Sequence, residues 1–188
     1  MVIRKWFPWC VPFLLLLVAS VVSAAILSVP FYSQKDSQWA SQKLGTSNLT
    51  MGGYSCAVTS MAMALKFRGA DVDPGKLNQW LTANGGYSGG NLVDWAKAAK
   101  YGGTQWLRFE NTGSLGSLSE INSQIANRKL IIAMSNRFPG STHFVVIRGA
   151  TPDGTAGYYW DPWDTSATQR RIGDGWVNSG NSTRVFSY

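Results

Sequence analysis

Tyr54-Ser55-Cys56-Ala57-Val58-Thr59-Ser60-Met61-Ala62-Met63-Ala64-Leu65-Lys66-Phe67-Arg68-Gly69 is the stretch from which the architecture can be read. Val58, Met61, Ala62 and Leu65 recur at helical spacing, Ser55 offers a hydroxyl to cap the start, and Gly69 supplies the end. The pattern predicts a helix from Cys56 to Arg68, with Gly52-Gly53 as a loop just before it. Cys56 then falls in the first turn, where unpaired backbone N–H groups and the positive end of the helix dipole stabilise an anion. That placement favours a thiolate over a thiol.

Working outward, Asp73-Pro74 opens a second helix that would bury Leu77, Trp80 and Leu81 and stop at Asn84-Gly85. A third is predicted from Leu92 to Lys100, and Ser117 with Glu120 carries the capping-box signature of a fourth that ends near Asn127. Beyond it the composition changes. Lys129 to Ser135, Thr142 to Gly149 and Gly157 to Asp161 are rich in β-branched and aromatic residues and predict strands. Thr168 to Ile172 and Arg184 to Tyr188 are weaker candidates, expected at the edge or end of a sheet. Helices first and strands later predict an α+β fold in which the cysteine-bearing helix packs on a C-terminal antiparallel sheet. Most of the nine tryptophans lie inside these patterns and are expected in the core, with no binding role assigned to Trp39, Trp106 or Trp163.

The first residues have the character of an export signal. Met1 to Lys5 is basic, Trp6 to Gln34 carries no charge, and an apolar run over Phe13 to Val18 leads to the small residues Val22-Ser23-Ala24. Residues 1–24 are therefore expected to be a signal peptide, or an uncleaved anchor, since a run of about 20 apolar residues can span a bilayer. Either way residues 25–188 are expected to form one domain outside the cytoplasm, secreted or held at the cell surface. Loss of Arg4 and Lys5 with that segment lowers the net charge from +7 to +5. No basic run suggests a nucleic-acid partner.

Once Cys10 leaves with the signal, Cys56 stands alone in a compartment where disulfides normally persist, so its thiol has no intramolecular partner. It is either a small buried core residue or a reactive group. One Cys and one His cannot supply the ligand set of a zinc site, so neither metal nor organic cofactor is expected. His143 is the only histidine. Thr151-Pro152-Asp153-Gly154 is a turn signal between two strand-like runs, and a hairpin symmetric about Pro152 would set His143 directly opposite Asp161. A carboxylate there would accept the imidazole N–H and fix its tautomer. Asp153 and Asp164 are alternative carboxylates with the look of turn residues. Gln34 is either an ordinary loop residue or an oxyanion donor beside the Cys56 N–H.

Val29-Pro30-Phe31-Tyr32-Ser33-Gln34, Asp36 to Trp39, Cys56 to Met63, and His143-Phe144-Val145-Val146-Ile147 followed by Asp161-Pro162 together resemble the bacterial cysteine peptidases of the bacteriocin-leader-processing, double-glycine type. The similarity is greatest to the stand-alone, secreted C39-like branch. The resemblance implies a papain-like fold with Cys56 as nucleophile opening the central helix, His143 and Asp161 on the sheet as base and orienting group, and Gln34 as oxyanion donor. The resemblance carries over no particular substrate; a peptide or protein is expected, with cell-wall peptide among the candidates. Leader processing is not implied, because no transporter domain is present. Ser55 departs from the pattern, standing where many relatives carry glycine. A non-catalytic binding module on this scaffold, or a triad acyltransferase or cell-wall amidase, are the competing expectations. The sequence assigns no oligomeric state.

Overall fold

The computed structural model describes residues 26–188, so the proposed signal segment lies outside the described residues. The helical elements are α1 (Met51–Tyr54), α2 (Cys56–Phe67), α3 (Pro74–Ala83), α4 (Trp95–Ala98) and α5 (Leu118–Ala126). A small hairpin pairs β1 (Tyr87–Ser88) with β2 (Leu92–Val93). The main sheet is formed by β3 (Arg108–Ser114), β4 (Lys129–Ser135), β5 (His143–Ala150), β6 (Gly157–Trp160), β7 (Arg170–Arg171) and β8 (Ser182–Ser187), in the order β3-β8-β4-β5-β6-β7 with every pair antiparallel. This is the expected α+β architecture. Among the described residues no helix is long and apolar enough to cross a membrane.

The sheet is covered on both faces, which explains why its central strands read as continuous apolar runs. Leu130, Ile132, Phe144 and Val146 face the cluster that contains α2 and α3. Their neighbours Ile131, Ala133, Val145 and Ile147 face the other way, against Ile121 and Ile125 of α5. Helix α2 is buried nearly all round, with Met61 to Leu65 at 0% exposure. The Ser60 hydroxyl donates to the Phe144 carbonyl at 3.2 Å and ties α2 to β5. At its C-terminus Gly69 takes φ +95, while Ala70 N–H bonds the Leu65 carbonyl and Gly69 N–H the Lys66 carbonyl, which closes the last turn as foreseen. Asp73 caps α3 through Lys76 N–H, and Ser117 with Glu120 forms the reciprocal box that opens α5.

Five local expectations need correction. Gly52-Gly53 lies inside the single turn of α1 and not in a loop. The Ser55 hydroxyl makes no cap and lies 3.1 Å from that of Thr59. The predicted third helix is reduced to α4, because Leu92–Val93 pairs with Tyr87–Ser88 across a turn at Gly89 and Gly90, both with positive φ, and Asp94 starts the helix afresh by accepting from Lys97 N–H. Trp80 is only half-buried. Strand β8 is not at the edge: it lies between β3 and β4, and β3 itself was missed because its residues are polar and mostly exposed.

Leu65 is fully buried in α2. Leu65→Ala should destabilise the protein by about 2–5 kcal/mol, measured as a fall in the urea midpoint with little change in slope.

Candidate active site

The chain folds so that the start of α2 meets the start of β5. Cys56 opens the helix with its sulfur 3.9 Å from the Thr142 carbonyl oxygen and 8% of its surface exposed. Ser55, the departure from the family pattern, sits at φ −92°, ψ 22°, a conformation that needs no glycine. Its hydroxyl is turned into the core toward Thr59.

His143, the first residue of β5, is hydrogen-bonded to Asp161 and lines the same cleft as Cys56. Nε2 lies 2.7 Å from Asp161 Oδ1, which leaves Nδ1 as the ring nitrogen not engaged by Asp161, and Cys56 is near enough to help raise the His143 pKa. The symmetric hairpin was wrong in register. The ladder pairs Val146 with Trp160 and Ile147 with Tyr159, and a bulge follows between Ile147 and Gly149. Near the site the ladder is two positions away from the symmetric pairing. An even slip keeps each side chain on its own face, so His143 and Asp161 still share a side of the sheet. They meet where the chain leaves β6.

Asp161 has no solvent contact and is held by three donors: the imidazole, Arg137 Nη1 at 2.7 Å, and the Trp163 backbone N–H at 2.8 Å. Arg137 also reaches Asp164 Oδ1 at 3.0 Å, and Asp164 accepts two bonds of 2.6 Å from Arg170. Asp164 thus lies behind the site as part of an arginine network, while Asp153 only organises its turn through Thr151 and Thr155. Burial alone would raise the Asp161 pKa, but its bonds to His143 and Arg137 outweigh this and hold it below the ordinary carboxylate value. Burial alone would likewise lower the His143 pKa, and the hydrogen bonds and charges of Asp161 and Cys56 instead push it up to about 9.

Gln34 is 1% exposed and reaches the same place from the N-terminal loop. Its backbone N–H donates to the Pro162 carbonyl at 2.8 Å, next to Asp161 in the chain. One side-chain N–H is engaged by the Gly52 carbonyl at 3.1 Å, and Oε1 is buried without a partner. Gln34, Tyr54, Cys56, Phe138, His143 and Trp163 line a cleft of about 460 Å³. A second cleft of about 460 Å³ opens on the other side of Cys56 toward Leu92, Trp95 and Phe144.

Model matching places residues 26–182 in the group described as the Peptidase_C39 like family. The chain belongs to the C39-like peptidase family. The crystal structure of a Bacillus anthracis protein described as a C39-like peptidase matches it with a TM-score of 0.50 and 16% identity, over 87% of this chain and 96% of that one. This supports the shared fold. No curated protein matches the chain.

Sequence reasoning selected Cys56, His143, Asp161 and Gln34, and these four residues converge. It missed Arg137, which no motif announces, and it gave Trp163 no role. The Trp163 ring packs edge-on against Phe138 at 4.9 Å and lies 6.5 Å from His143, with the Lys35 ammonium 3.8 Å above it. The position of Trp163 two residues after Asp161 was the available signal. Trp39 is buried and bonds the Ser33 carbonyl, and half-buried Trp106 bonds the Tyr101 carbonyl, as core residues do.

A raised histidine pKa links the site to stability. The imidazolium is favoured in the folded state, so its contribution is fully present below pH 6.5 and is lost as pH rises toward about 9. Urea midpoints across that interval should fall for the wild type. Asp161→Asn should flatten this dependence, whatever its effect on absolute stability.

Proposed function

We propose that the protein is a cysteine peptidase whose nucleophile, base and orienting group are Cys56, His143 and Asp161. The observation that carries the reading is that the lone described thiol and the lone imidazole line one cleft, with the imidazole Nε2 2.7 Å from a solvent-free carboxylate. A cysteine kept only for packing has no need of such a neighbour.

In this mechanism the Cys56 sulfur attacks the carbonyl carbon of a peptide bond, and the imidazolium of His143 then protonates the departing amine. The neutral His143 next draws a proton from water, which attacks the thioester and releases the acid and the thiol. Asp161 keeps Nδ1 directed at the sulfur and stabilises the charged ring. The developing oxyanion is met by the Cys56 backbone N–H at the helix start and by the free side-chain N–H of Gln34. What supports Gln34 in this role is its fixed amide, with one N–H already bound to Gly52 and the residue lining the cleft. The protein acts on peptide or protein substrates outside the cytoplasm, in keeping with the signal-like N-terminus.

Mass spectrometry of a peptide library and of peptidoglycan fragments, incubated with the secreted protein, tests the assignment. Cys56→Ala should drop kcat to the assay floor, on the order of 10⁶-fold for a triad nucleophile, with an unchanged fold. Full activity in that variant would refute the reading. Asp161→Asn should lose less than Cys56→Ala, and Gln34→Ala should lose about 10²–10³-fold in kcat. Iodoacetamide should label Cys56 in the folded protein, and the labelled protein should have no turnover.

A further inference from the structure

The second cleft beside Cys56 is chemically unlike the first. Leu92, Trp95, Met134 and Phe144 give it apolar walls, and Arg184 of β8 contributes a guanidinium. Tyr54 and Leu92, which border it, are strongly exposed large apolar side chains, at 58% and 65%. Exposed apolar surface beside a nucleophile suits a ligand better than it suits water.

Arg184 has no anionic partner among the described residues. Its cross-strand neighbours are Thr112 and Ile132, neither charged. Only Nη1 is hydrogen-bonded, to the Ser182 hydroxyl at 3.1 Å and the Thr183 carbonyl at 2.9 Å. Nε and Nη2 have no partner among the described residues, and neither is sealed from solvent. Elsewhere the guanidinium rests on ring faces, 5.3 Å from Phe144 and 5.8 Å from Trp95. The other arginines near the site differ. Arg137 and Arg170 are committed to Asp161 and Asp164, and Arg148 is occupied by the Leu27 carbonyl and the Gln169 side chain. Partial burial of Arg184 also disfavours its charged form, a penalty that an incoming carboxylate would offset.

We propose that this cleft is a specificity subsite in which Arg184 binds the carboxylate of an acidic peptide residue, with the apolar walls holding that residue's methylene stem. The proposal rests on the peptidase reading for its biological meaning, but the binding it describes does not require turnover. A glutamate fits both parts, since its two methylene groups can lie along Leu92 and Phe144 while the carboxylate meets the two unoccupied donors.

The experiment uses peptides blocked at both ends, in matched pairs that differ only by Glu or Gln at successive positions, together with unblocked versions that carry a free terminal carboxylate. Cleavage by the wild type should favour Glu over Gln at one position by about tenfold in kcat/KM, the effect of one charge-assisted bond. In Arg184→Gln that ratio should fall to about one, and in Arg184→Glu the preference should move to lysine or arginine. Arg184→Lys, which keeps the charge without the planar fork, should retain part of the preference and guards against loss of fold. The same pairs are titrated against Cys56→Ala protein. If no peptide is cut yet Cys56→Ala binds Glu peptides more tightly through Arg184, the peptidase reading fails and the subsite stands. Equal Glu:Gln ratios in wild type and Arg184→Gln, in cleavage or, without turnover, in binding, would overturn the subsite. A preference seen only with unblocked peptides would also overturn it, by assigning Arg184 to a chain terminus.

Discussion

A carboxylate without solvent contact is the constraint around which the site is organised. Asp161 can remain ionised only because three donors converge on it, one each from His143, Arg137 and its own chain at Trp163. An unpaired buried charge is costly, whereas one embedded in hydrogen bonds has a fixed direction. The fixed direction is what the imidazole inherits. With Nε2 committed to Asp161, the ring has one orientation and one nitrogen left to offer Cys56.

The rest of the fold serves that meeting. Helix α2 is apolar over most of its circumference and buried nearly all round, so burial leaves it little choice but the centre of the domain. Ser60 fixes its axial position against β5, and Cys56 consequently arrives beside Thr142 at the strand's end. Gln34 is brought to the same rim by its bond to the Pro162 carbonyl, so the segment that follows Asp161 also positions the amide. Phe138 and Trp163 pack edge-on around the imidazole and form part of the cleft wall beside it.

Charge is distributed unevenly behind this rim. Arg137, Asp164 and Arg170 form a connected set beyond Asp161, and both guanidinium groups lie over the Trp176 ring. Such a network is stiff, since moving one member leaves another unpaired. Arg184, on the opposite side of Cys56, belongs to no such set. The site thus joins a closed electrostatic scaffold to an open cationic wall, and the two have different physical roles.

Much of this was legible in the chain. The helical spacing after Cys56, the Gly69 stop, the Asp73 and Ser117 caps and the apolar strands are local signals, set within one or two helical turns or by the run of β-branched and aromatic residues in a strand. Cys56 and His143 stood out because each is alone of its kind in residues 25–188, and with the Gln, Cys, His, Asp order the family resemblance followed. Pairing across distance was not legible. The hairpin register depended on a bulge between Ile147 and Gly149 that composition does not announce, and the contact survived because the slip was an even one. Arg137 entered the site through a loop whose course is fixed by contacts with Asp161 and Asp164. Strand β3 gave no apolar signal because it is mostly exposed, and the central place of β8 follows from its pairing with β3 and β4. Which groups could carry chemistry follows from the chain alone, because identity and local periodicity are properties of neighbouring residues. Which charges are satisfied and which remain open is set by the folded arrangement, because it depends on residues brought together from distant parts of the chain.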